Sequence, residues 1–310
     1  MLITKPDAHG GGERGPFSEC SKARVAGALG AEMTGLTFPG TGSEKPFHRF
    51  ARQADDWFSI AEPWQAPVVD TPGMRGFYCY RSCEAVGIDA CREVAREILG
   101  PKELEVWSQL QTPEQRRRQW LLGRLCAKKA VGQIVKPGET ENGCLSELEI
   151  LADEHGCPVA GGTVIGRLDG WLSISIAHSQ DTVAAIAGTR DRFFGVGIDL
   201  EPVARDYRVL ERAALRHEER LLLRERIREA QPEWVVRLWC AKEALAKAIG
   251  LGMIGGPLSF MVKDLETSSG KVILTLEGKP VERRRELRGR LFPVFTGRDK
   301  EIVYATAILD

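Results

Sequence analysis

The stretch Phe193-Phe-Gly-Val-Gly-Ile-Asp199-Leu-Glu201 predicts a buried strand that ends in two carboxylates. Residues two apart on a strand share a face, so we expect Asp199 and Glu201 to leave the strand on one side. Its Gly195-Val-Gly197 is not followed by the rest of a dinucleotide-binding fingerprint or by a helix. We therefore interpret the glycines as a place where another backbone packs closely, and we expect no nicotinamide cofactor.

A helix is predicted over residues 232–250, which contain the stretch Trp239-Cys-Ala-Lys242-Glu243-Ala-Leu-Ala-Lys247. Proline lies near its start, glycine at its end, and apolar side chains recur at helical spacing. Glu243 and Lys247 are four residues apart and therefore face the same way. Three carboxylates and a lysine from these two stretches suit a hard cation such as Mg²⁺ and the phosphates that share it. The alternatives are a solvated turn after the strand and an ordinary helix ion pair.

Two further segments add polar side chains. The alternation Leu172-Ser-Ile-Ser-Ile-Ala-His178-Ser predicts a strand that ends in a histidine and a serine. A lone histidine at such a place is most often structural or exposed. The run Arg117-Arg-Gln-Trp-Leu-Leu-Gly-Arg124-Leu-Cys-Ala-Lys128-Lys-Ala-Val predicts a helix whose three named cations share one face. That face is either solvated or binds a compact anion, and the residues alone leave both interpretations open.

These four segments, in this order, resemble the signatures of the Sfp-type 4'-phosphopantetheinyl transferases, and the resemblance covers roughly residues 90–310. That family moves phosphopantetheine from coenzyme A onto a serine of an acyl or peptidyl carrier protein. The sequence of residues 119–131 is similar to that of transferase domains appended to multidomain polyketide synthases. The resemblance implies a Mg²⁺-dependent holo-[acyl-carrier-protein] synthase with an α+β fold. Two pseudo-symmetric subdomains, each a small antiparallel sheet packed on a long helix, are expected to enclose coenzyme A between them.

The resemblance also assigns roles to single residues. It implies that Mg²⁺ is held by Asp199, Glu201 and Glu243, and that Lys247 contacts the pyrophosphate. The expected catalytic residues are Asp199, Glu243 and Lys247. The carrier serine loses its proton near the metal, either to Glu243 or to a water bound to the metal, and we favour Glu243. The side chains expected to hold coenzyme A, chiefly its 3'-phosphate, are Arg124, Lys128 and His178, with Arg117, Lys242 and Lys247 as further contacts.

Two positions depart from the family's usual pattern. Ala177 replaces a serine that is common before the histidine, and Cys157 replaces the lysine of a common Gly-Lys-Pro turn. Losing one polar contact costs on the order of 1 kcal/mol, which is too little to abolish activity. The changes also suit a catalytically weak or inactive module that docks a carrier domain within a synthase, although the intact carboxylates and lysine argue against it. A magnesium pyrophosphatase is a third alternative, and it needs neither the basic helix nor His178.

The composition narrows the possible functions. The 310 residues carry 43 Lys and Arg against 43 Asp and Glu, so no overall field indicates nucleic acid or a membrane surface. No apolar stretch approaches the roughly 20 residues needed to cross a bilayer, and the first residues lack the apolar core of a signal peptide. The 8 cysteines form no paired Cys-x-x-Cys motifs, which favours reduced thiols over zinc or disulfides. We expect a cytoplasmic protein, either a monomer or a domain of a larger synthase.

Three regions are predicted along the chain. Residues 1–85 are expected to be an N-terminal extension or connector, partly flexible, whose aromatic stretch at 47–80 packs against the core. Residues 86–190 and 191–310 are the expected N-terminal and C-terminal halves of the transferase. The sequence carries no repeat between them beyond an Ala-Lys pair in each long helix.

Within the halves, residues 87–110 predict one helix, and residues 211–230 predict an exposed helix or helix pair. Alternating patterns at 258–262, 271–276 and 302–309 predict antiparallel strands. Basic residues that follow the metal strand are candidates for docking an acidic carrier: Arg205, Arg208, Arg212 and Arg216.

Overall fold

The computed structural model describes residues 61–64, 77–82, 88–135, 145–163, 172–189 and 195–309. The N-terminal half begins with two strands and three helices: β1 (Glu62–Pro63), β2 (Phe77–Ser82), α1 (Ile88–Ile98), α2 (Pro101–Gln109) and α3 (Glu114–Ile134). Two hairpins follow: β3 (Leu148–Ala152) with β4 (Pro158–Gly162), and β5 (Leu172–Ser179) with β6 (Thr182–Thr189).

The C-terminal half repeats this order. One strand and three helices come first: β7 (Gly195–Pro202), α4 (Tyr207–Ala214), α5 (His217–Arg226) and α6 (Gln231–Ile249). Two hairpins again follow, with a short helix between them: β8 (Phe260–Glu266), β9 (Lys271–Leu276), α7 (Lys279–Arg283), β10 (Phe292–Asp299) and β11 (Ile302–Leu309). Three of these strands are those predicted from the alternating patterns near the C-terminus.

The strands β2 and β7 occupy corresponding places in two antiparallel sheets. The first sheet has the order β1-β2-β6-β5, and the second has the order β7-β11-β10-β9-β8. In the N-terminal half the hairpin of β3 and β4 forms a separate two-stranded sheet. The fold is therefore α+β with two similar halves, which confirms the fold that the resemblance implied.

Each half buries one long helix. The helix α3 packs on β2, β5 and β6 and places Leu121, Leu125 and Val131 in the first apolar core. The helix α6 packs on β7 and β11 and places Leu238 and Leu245 in the second core. Both helices are apolar on more than one face, because sheet strands cover one side and shorter helices cover another. The long helices thus organise the two halves.

A third apolar cluster, which includes Ala177, joins the halves where the edge strands β5 and β7 meet. The Ser173 hydroxyl accepts the N–H of Val196 at 3.0 Å, and the Ser175 hydroxyl accepts the N–H of Ile198 at 3.1 Å. Because these partners advance together along the chain, the two strands run side by side in one direction. Their C-terminal ends therefore lie at the same end of the junction.

The N-terminal segment reaches this junction through Trp64. Its ring packs edge-on against Tyr304 with centroids 4.6 Å apart, and Arg81 of β2 lies over it at 5.2 Å. Arg81 also forms ion pairs with Glu62 and with Asp299 of the other half. The predicted packing of the aromatic stretch on the core is confirmed at Trp64, while residues 1–60 lie outside the described residues.

The strand β2, which lies in the region predicted as an extension or connector, pairs with β6. The prediction of one helix over residues 87–110 was wrong. The chain forms α1 and α2 instead, since proline at 101 lacks the N–H and starts a new helix with Gly100 as its N-cap.

The side chains of Cys91, Cys126, Cys157 and Cys240 are buried, and among these described cysteines none forms a disulfide. Among the described helices, none is both long enough and apolar enough to cross a membrane.

Candidate active site

The site lies where α6 crosses β7 at very short range. A Cβ atom added at Gly197 would lie 2.0 Å from the carbonyl oxygen of Ala244, and one added at Gly195 would lie 2.1 Å from that of Ala248. Only glycine permits this approach of two backbones. The interpretation of Gly195 and Gly197 as a close-packing contact is confirmed, and the crossing brings the polar face of α6 onto the carboxylate end of β7.

Lys247 connects the helix to both halves. Its Nζ donates to Oδ1 of Asp199 at 2.8 Å and to the carbonyl oxygens of Ile198 at 3.0 Å and Ile176 at 3.5 Å. Burial alone would lower the pKa of Lys247, but the carboxylates of Asp199 and Glu243 outweigh it, and the pKa is raised. The lysine is therefore held as a buried cation, which agrees with its predicted place beside Asp199.

One carboxylate oxygen of Asp199 accepts no hydrogen bond of normal geometry from the described residues. This oxygen is Oδ2, and the residue is 5% exposed. The Cys240 thiol is near but is a weak donor, and it points to the carbonyl oxygen of Val303 at 3.9 Å. Burial raises the pKa of Asp199, Lys247 offsets this in part, and Glu201 adds to it. A buried carboxylate oxygen without a partner is the kind of atom that a cation satisfies.

Glu201 extends from the same face of β7, as the strand period predicted. Its Oε1 accepts the indole N–H of Trp239 at 2.7 Å, and its Oε2 accepts the guanidinium of Arg205. Arg205 also lies over the Trp239 ring, 5.6 Å from its centroid. Trp239 of the helix signature therefore orients Glu201, and Arg205 neutralises its charge in the state described.

Glu243 lies one turn before Lys247 on α6 and is 9% exposed. Its charge raises the pKa of Lys247, just as that of Glu201 raises the pKa of Asp199, so these groups act on one another. In the part of the chain that the structure describes, however, no three His, Cys, Asp or Glu side chains are already placed to hold a metal ion. The acidic residues lie near one another without forming a finished cluster.

His178 lies at the same end of the junction as Glu201. Each residue follows the paired Ser175 and Ile198 by three positions on strands that run in the same direction. The guanidinium of Arg116 donates to Nε2 of His178 at 2.6 Å. The sequence patterns did not single out Arg116, although the run of three arginines at 116–118 in the first turn of α3 was a signal for it.

Arg117 and Arg124 share a face of α3, but that face packs within the N-terminal half. Arg117 lies over the Trp107 ring at 4.7 Å, and Arg124 lies over the Trp120 ring at 4.0 Å. Arg124 is 3% exposed and donates to the carbonyl oxygen of Ile150 at 3.4 Å. These cation–π contacts hold both arginines at the protein's own aromatic rings. Their coenzyme A roles stay predictions.

Lys128 and Lys242 are each fully buried against a glutamate. Lys128 pairs with Glu103, and Lys242 pairs with Glu219 at 2.8 Å. Burial lowers the pKa of Lys242, and Glu219 offsets this only in part. Both lysines were predicted to contact coenzyme A. The structure brings neither of them to Asp199, and their contacts are those of lysines that hold helices together.

The two departures from the family pattern lie in different surroundings. Ala177 is buried in the apolar cluster between the halves, where it continues the alternation of Ser173 and Ser175. Cys157 is buried at the turn between β3 and β4, and its N–H donates to Oδ1 of Asp153 at 2.9 Å. Neither position lies in the crossing of α6 and β7.

Comparison with known proteins identifies relatives. Residues 195–300 match the model of the 4'-phosphopantetheinyl transferase superfamily. The chain is 31% identical over 99 residues to a holo-[acyl-carrier-protein] synthase of Geobacillus kaustophilus, covering 32% of this chain and 72% of that protein. It is 34% identical over 90 residues to the Halalkalibacterium halodurans protein of the same name, covering 29% of this chain and 71% of that protein.

Solved structures give weaker matches. A holo-(acyl-carrier-protein) synthase from Bacillus anthracis, in complex with CoA (3',5'-ADP), matches at 19% identity and a TM-score of 0.29, covering 37% of this chain and 94% of that chain. The Neisseria meningitidis enzyme matches at 20% identity and a TM-score of 0.31, covering 38% and 98%. The two sequence relatives are matched over more than two thirds of their length, and so the chain belongs to the 4'-phosphopantetheinyl transferase superfamily.

Proposed function

We propose that the protein is a Mg²⁺-dependent transferase of the Sfp type, which moves 4'-phosphopantetheine from coenzyme A to a serine of an acyl or peptidyl carrier protein. The observation that carries this proposal is the contact of Lys247 with Asp199 at the crossing of α6 and β7. It joins the two most specific sequence signatures inside the segment that matches the superfamily. In this proposal the enzyme acts in the cytoplasm in polyketide biosynthesis, alone or as part of a larger synthase.

The side chains at the crossing of α6 and β7 include carboxylates, which are the kind of ligand that a divalent cation prefers. Asp199 offers a buried oxygen that lacks a hydrogen-bond partner among the described residues, and Glu201 and Glu243 offer further carboxylate oxygens. Glu201 can face a cation once Arg205 releases its Oε2. These three carboxylates would hold Mg²⁺, which when bound would neutralise the pyrophosphate and the charge on the departing 3',5'-adenosine bisphosphate.

The protein's own side chains account for the rest of the chemistry. Lys247 keeps a positive charge beside Asp199, and it can bind a pyrophosphate oxygen once it releases the carbonyl oxygen of Ile176, its most distant acceptor at 3.5 Å. The carrier serine oxygen forms a bond to the β-phosphorus, and the bond from that phosphorus to the bridging oxygen of the bisphosphate breaks. Glu243, on the same face of α6 as Lys247, accepts the serine proton.

The nucleotide end of coenzyme A is proposed to bind at His178 together with Arg116. Both lie at the end of the junction where Glu201 leaves β7, and their 2.6 Å contact forms one polar group. A guanidinium beside an imidazole suits a phosphate monoester such as the 3'-phosphate. Three other predicted contacts would bind coenzyme A only after leaving the contacts that they make within the N-terminal half: Arg117, Arg124 and Lys128.

The carrier is proposed to dock on α4 and α5. A surface depression there is lined by Glu211, Arg212, His217, Arg220, Leu221 and Arg224. Arg212 was among the docking residues expected from sequence, whereas Arg220 and Arg224 were not. Arg205 and Arg216 pair with Glu201 and Glu277 instead. A basic rim with an exposed apolar side chain suits an acidic carrier helix.

Intact-mass spectrometry of an apo carrier protein tests the proposal. The carrier is incubated with the protein, coenzyme A and Mg²⁺, beside the Glu243→Ala variant as the matched control. We expect the mass of a phosphopantetheine group on the carrier with the wild type and none with the variant. Binding of coenzyme A without any transfer to several carriers would favour a docking module. Hydrolysis of pyrophosphate without coenzyme A binding would favour a pyrophosphatase.

A further inference from the structure

Each half contains the same buried set of contacts, which the sequence alone does not reveal. In the N-terminal half, Glu103 in the first turn of α2 accepts the N–H of Gly100 at 2.9 Å and the N–H of Ile150 on β3 at 2.8 Å. Lys128 of α3 pairs with Glu103 and donates to the carbonyl oxygen of Ile98 at the end of α1. We name this the first buried pair.

The C-terminal half repeats the arrangement, element for element. Glu219 in the first turn of α5 accepts the N–H of Arg216 at 2.7 Å and the N–H of Val262 on β8 at 2.6 Å. Lys242 of α6 donates to Glu219 at 2.8 Å and to the carbonyl oxygen of Ala214 at the end of α4 at 2.7 Å. We name this the second buried pair.

Both pairs fix the long helix of their half. Each glutamate accepts backbone N–H groups from two elements and each lysine donates to a third, so one ion pair ties the long helix to two shorter helices and a strand. Glu103, Lys128 and Lys242 are 0% exposed, and Glu219 is 1% exposed. Hydrogen bonds to buried charges are strong and directional, so the pairs leave the long helices little freedom to rotate or slide.

The two pairs differ in what comes next along the long helix. Lys128 is followed by Lys129, whereas Lys242 is followed by Glu243, with Lys247 four residues further. Rotation of α6 by a fraction of a turn would move Lys247 away from Asp199 and would displace Glu243 with it. Lys242 itself is enclosed and makes its contacts inside the protein, so it acts on the site only through the helix.

We propose that Glu219 is a positioning residue for catalysis: through Lys242 it sets the rotation and depth at which α6 presents Glu243 and Lys247 to Asp199. This inference rests on the proposed transferase function. It assigns no contact with substrate to Glu219. The first buried pair has the same contacts, and the residue that follows its lysine, Lys129, has no proposed catalytic role, so this pair serves as the internal control.

The test compares Glu219→Gln with Glu103→Gln in the full chain. Transfer to an apo carrier is measured at a temperature at which circular dichroism reports both variants folded. Both variants are expected to melt earlier than the wild type, since each weakens one buried ion pair. Glu219→Gln is expected to lower kcat by about tenfold or more with the KM values unchanged, because small misplacements of catalytic groups are costly. Glu103→Gln is expected to keep kcat within about threefold of the wild type.

Equal losses of kcat in the two variants would overturn the inference and leave Glu219 a purely structural residue. A rise in KM for the carrier alone would also overturn it, because Glu219 would then act in docking. Absence of transfer by the wild type would instead contradict the proposed function itself. Hydrogen exchange gives a readout without activity: in Glu219→Gln, or in Lys242→Gln if the first variant does not fold, amides of residues 242–247 should exchange faster. Unchanged exchange there would contradict the positioning role.

Discussion

The N-terminal and C-terminal halves share a frame and differ in the residues added to it. Both run strand, three helices and two hairpins, and both fix the long helix with a buried lysine and glutamate. At the next position of that helix, the N-terminal half has Lys129 and the C-terminal half has Glu243. The fold is therefore supported by the repeated residues, and the proposed chemistry by those that the repeat does not share.

The position after the buried lysine has a packing function in the N-terminal half. Lys129 donates to the carbonyl oxygen of Ala61 at 2.7 Å and so fastens the segment that carries Trp64. Burial lowers the pKa of Lys129 to about 8. In the C-terminal half the corresponding residue is Glu243, whose charge raises the pKa of Lys247. One half thus uses this position to hold its own chain, and in the proposed mechanism the other half uses it to accept a proton.

The largest effect is expected where the second half departs most from the first, at Lys247. Lys247→Met leaves Asp199 as a buried carboxylate without its cation, which we expect to lower the free energy of unfolding by about 3–5 kcal/mol. Lys129→Met removes an amine whose pKa is already lowered by burial. Its free energy of unfolding should therefore fall by less than that of Lys247→Met. Urea denaturation of both variants measures the difference. Equal losses would mean that the two positions are equivalent in stability.

Glycine at the crossing is the next difference between the halves. Gly197→Ala would place a Cβ 2.0 Å from the carbonyl oxygen of Ala244, so α6 must move and we expect a loss of about 3 kcal/mol. Gly123→Ala on α3 meets two side-chain methyl groups and no backbone atom, Cγ2 of Ile176 at 3.0 Å and Cγ1 of Val183 at 3.7 Å, and it gains helix propensity. Its stability should stay within about 1 kcal/mol of the wild type. Thermal unfolding of the pair checks this, and similar melting temperatures would contradict the close crossing.

A pH-dependent difference should follow from Lys129. Its folded pKa of about 8 lies below the ordinary lysine pKa of 10.5, so between these values the unfolded chain binds more protons and stability rises with pH. From about pH 7.5 to about 9.5 this contributes about 2 kcal/mol in favour of folding. Lys129→Met should lack that rise, and urea unfolding at both pH values measures it. The same pH slope in wild type and variant would refute the lowered pKa.

The smallest effect is expected from substitutions on α2 and α5, two of the shorter helices, and it concerns the KM for the carrier. Arg220→Glu on α5 should raise the KM for an acidic carrier by about fivefold at low salt and less at high salt, because exposed charges are screened. Lys102→Glu on α2, the counterpart of α5 in the N-terminal half, should leave that KM unchanged. Initial rates at two ionic strengths provide the comparison. An equal effect of both variants would indicate nonspecific attraction by net charge.

Local signals were enough to predict the acidic strand and its helix. The period of two placed Asp199 and Glu201 on one face, and the spacing of four placed Glu243 with Lys247. The glycines of β7 indicated close packing, which the crossing with α6 confirms. The break between α1 and α2 was also readable, since Pro101 follows Gly100, but helical spacing on both sides obscured it.

Contacts between distant segments could not be predicted in the same way. Lys128 and Lys242 meet glutamates that are 25 and 23 residues away, and only the packing of separate helices selects them as partners. A lysine on a helix face looks the same in the sequence whether it binds a phosphate or a buried glutamate. Arg116 escaped notice for a similar reason, because its partner His178 lies 62 residues further along the chain.

The most direct test substitutes glutamine, one position at a time, at the two positions that distinguish the halves. Initial rates of carrier modification are measured for Glu243→Gln and Lys129→Gln, with circular dichroism to verify that both are folded. The account predicts that Glu243→Gln slows transfer by about 10²-fold or more, as expected for loss of a general base, while Lys129→Gln stays within a few-fold of the wild type. Full activity of Glu243→Gln, or an equal loss in both variants, would contradict the assignment of the chemistry to the C-terminal half.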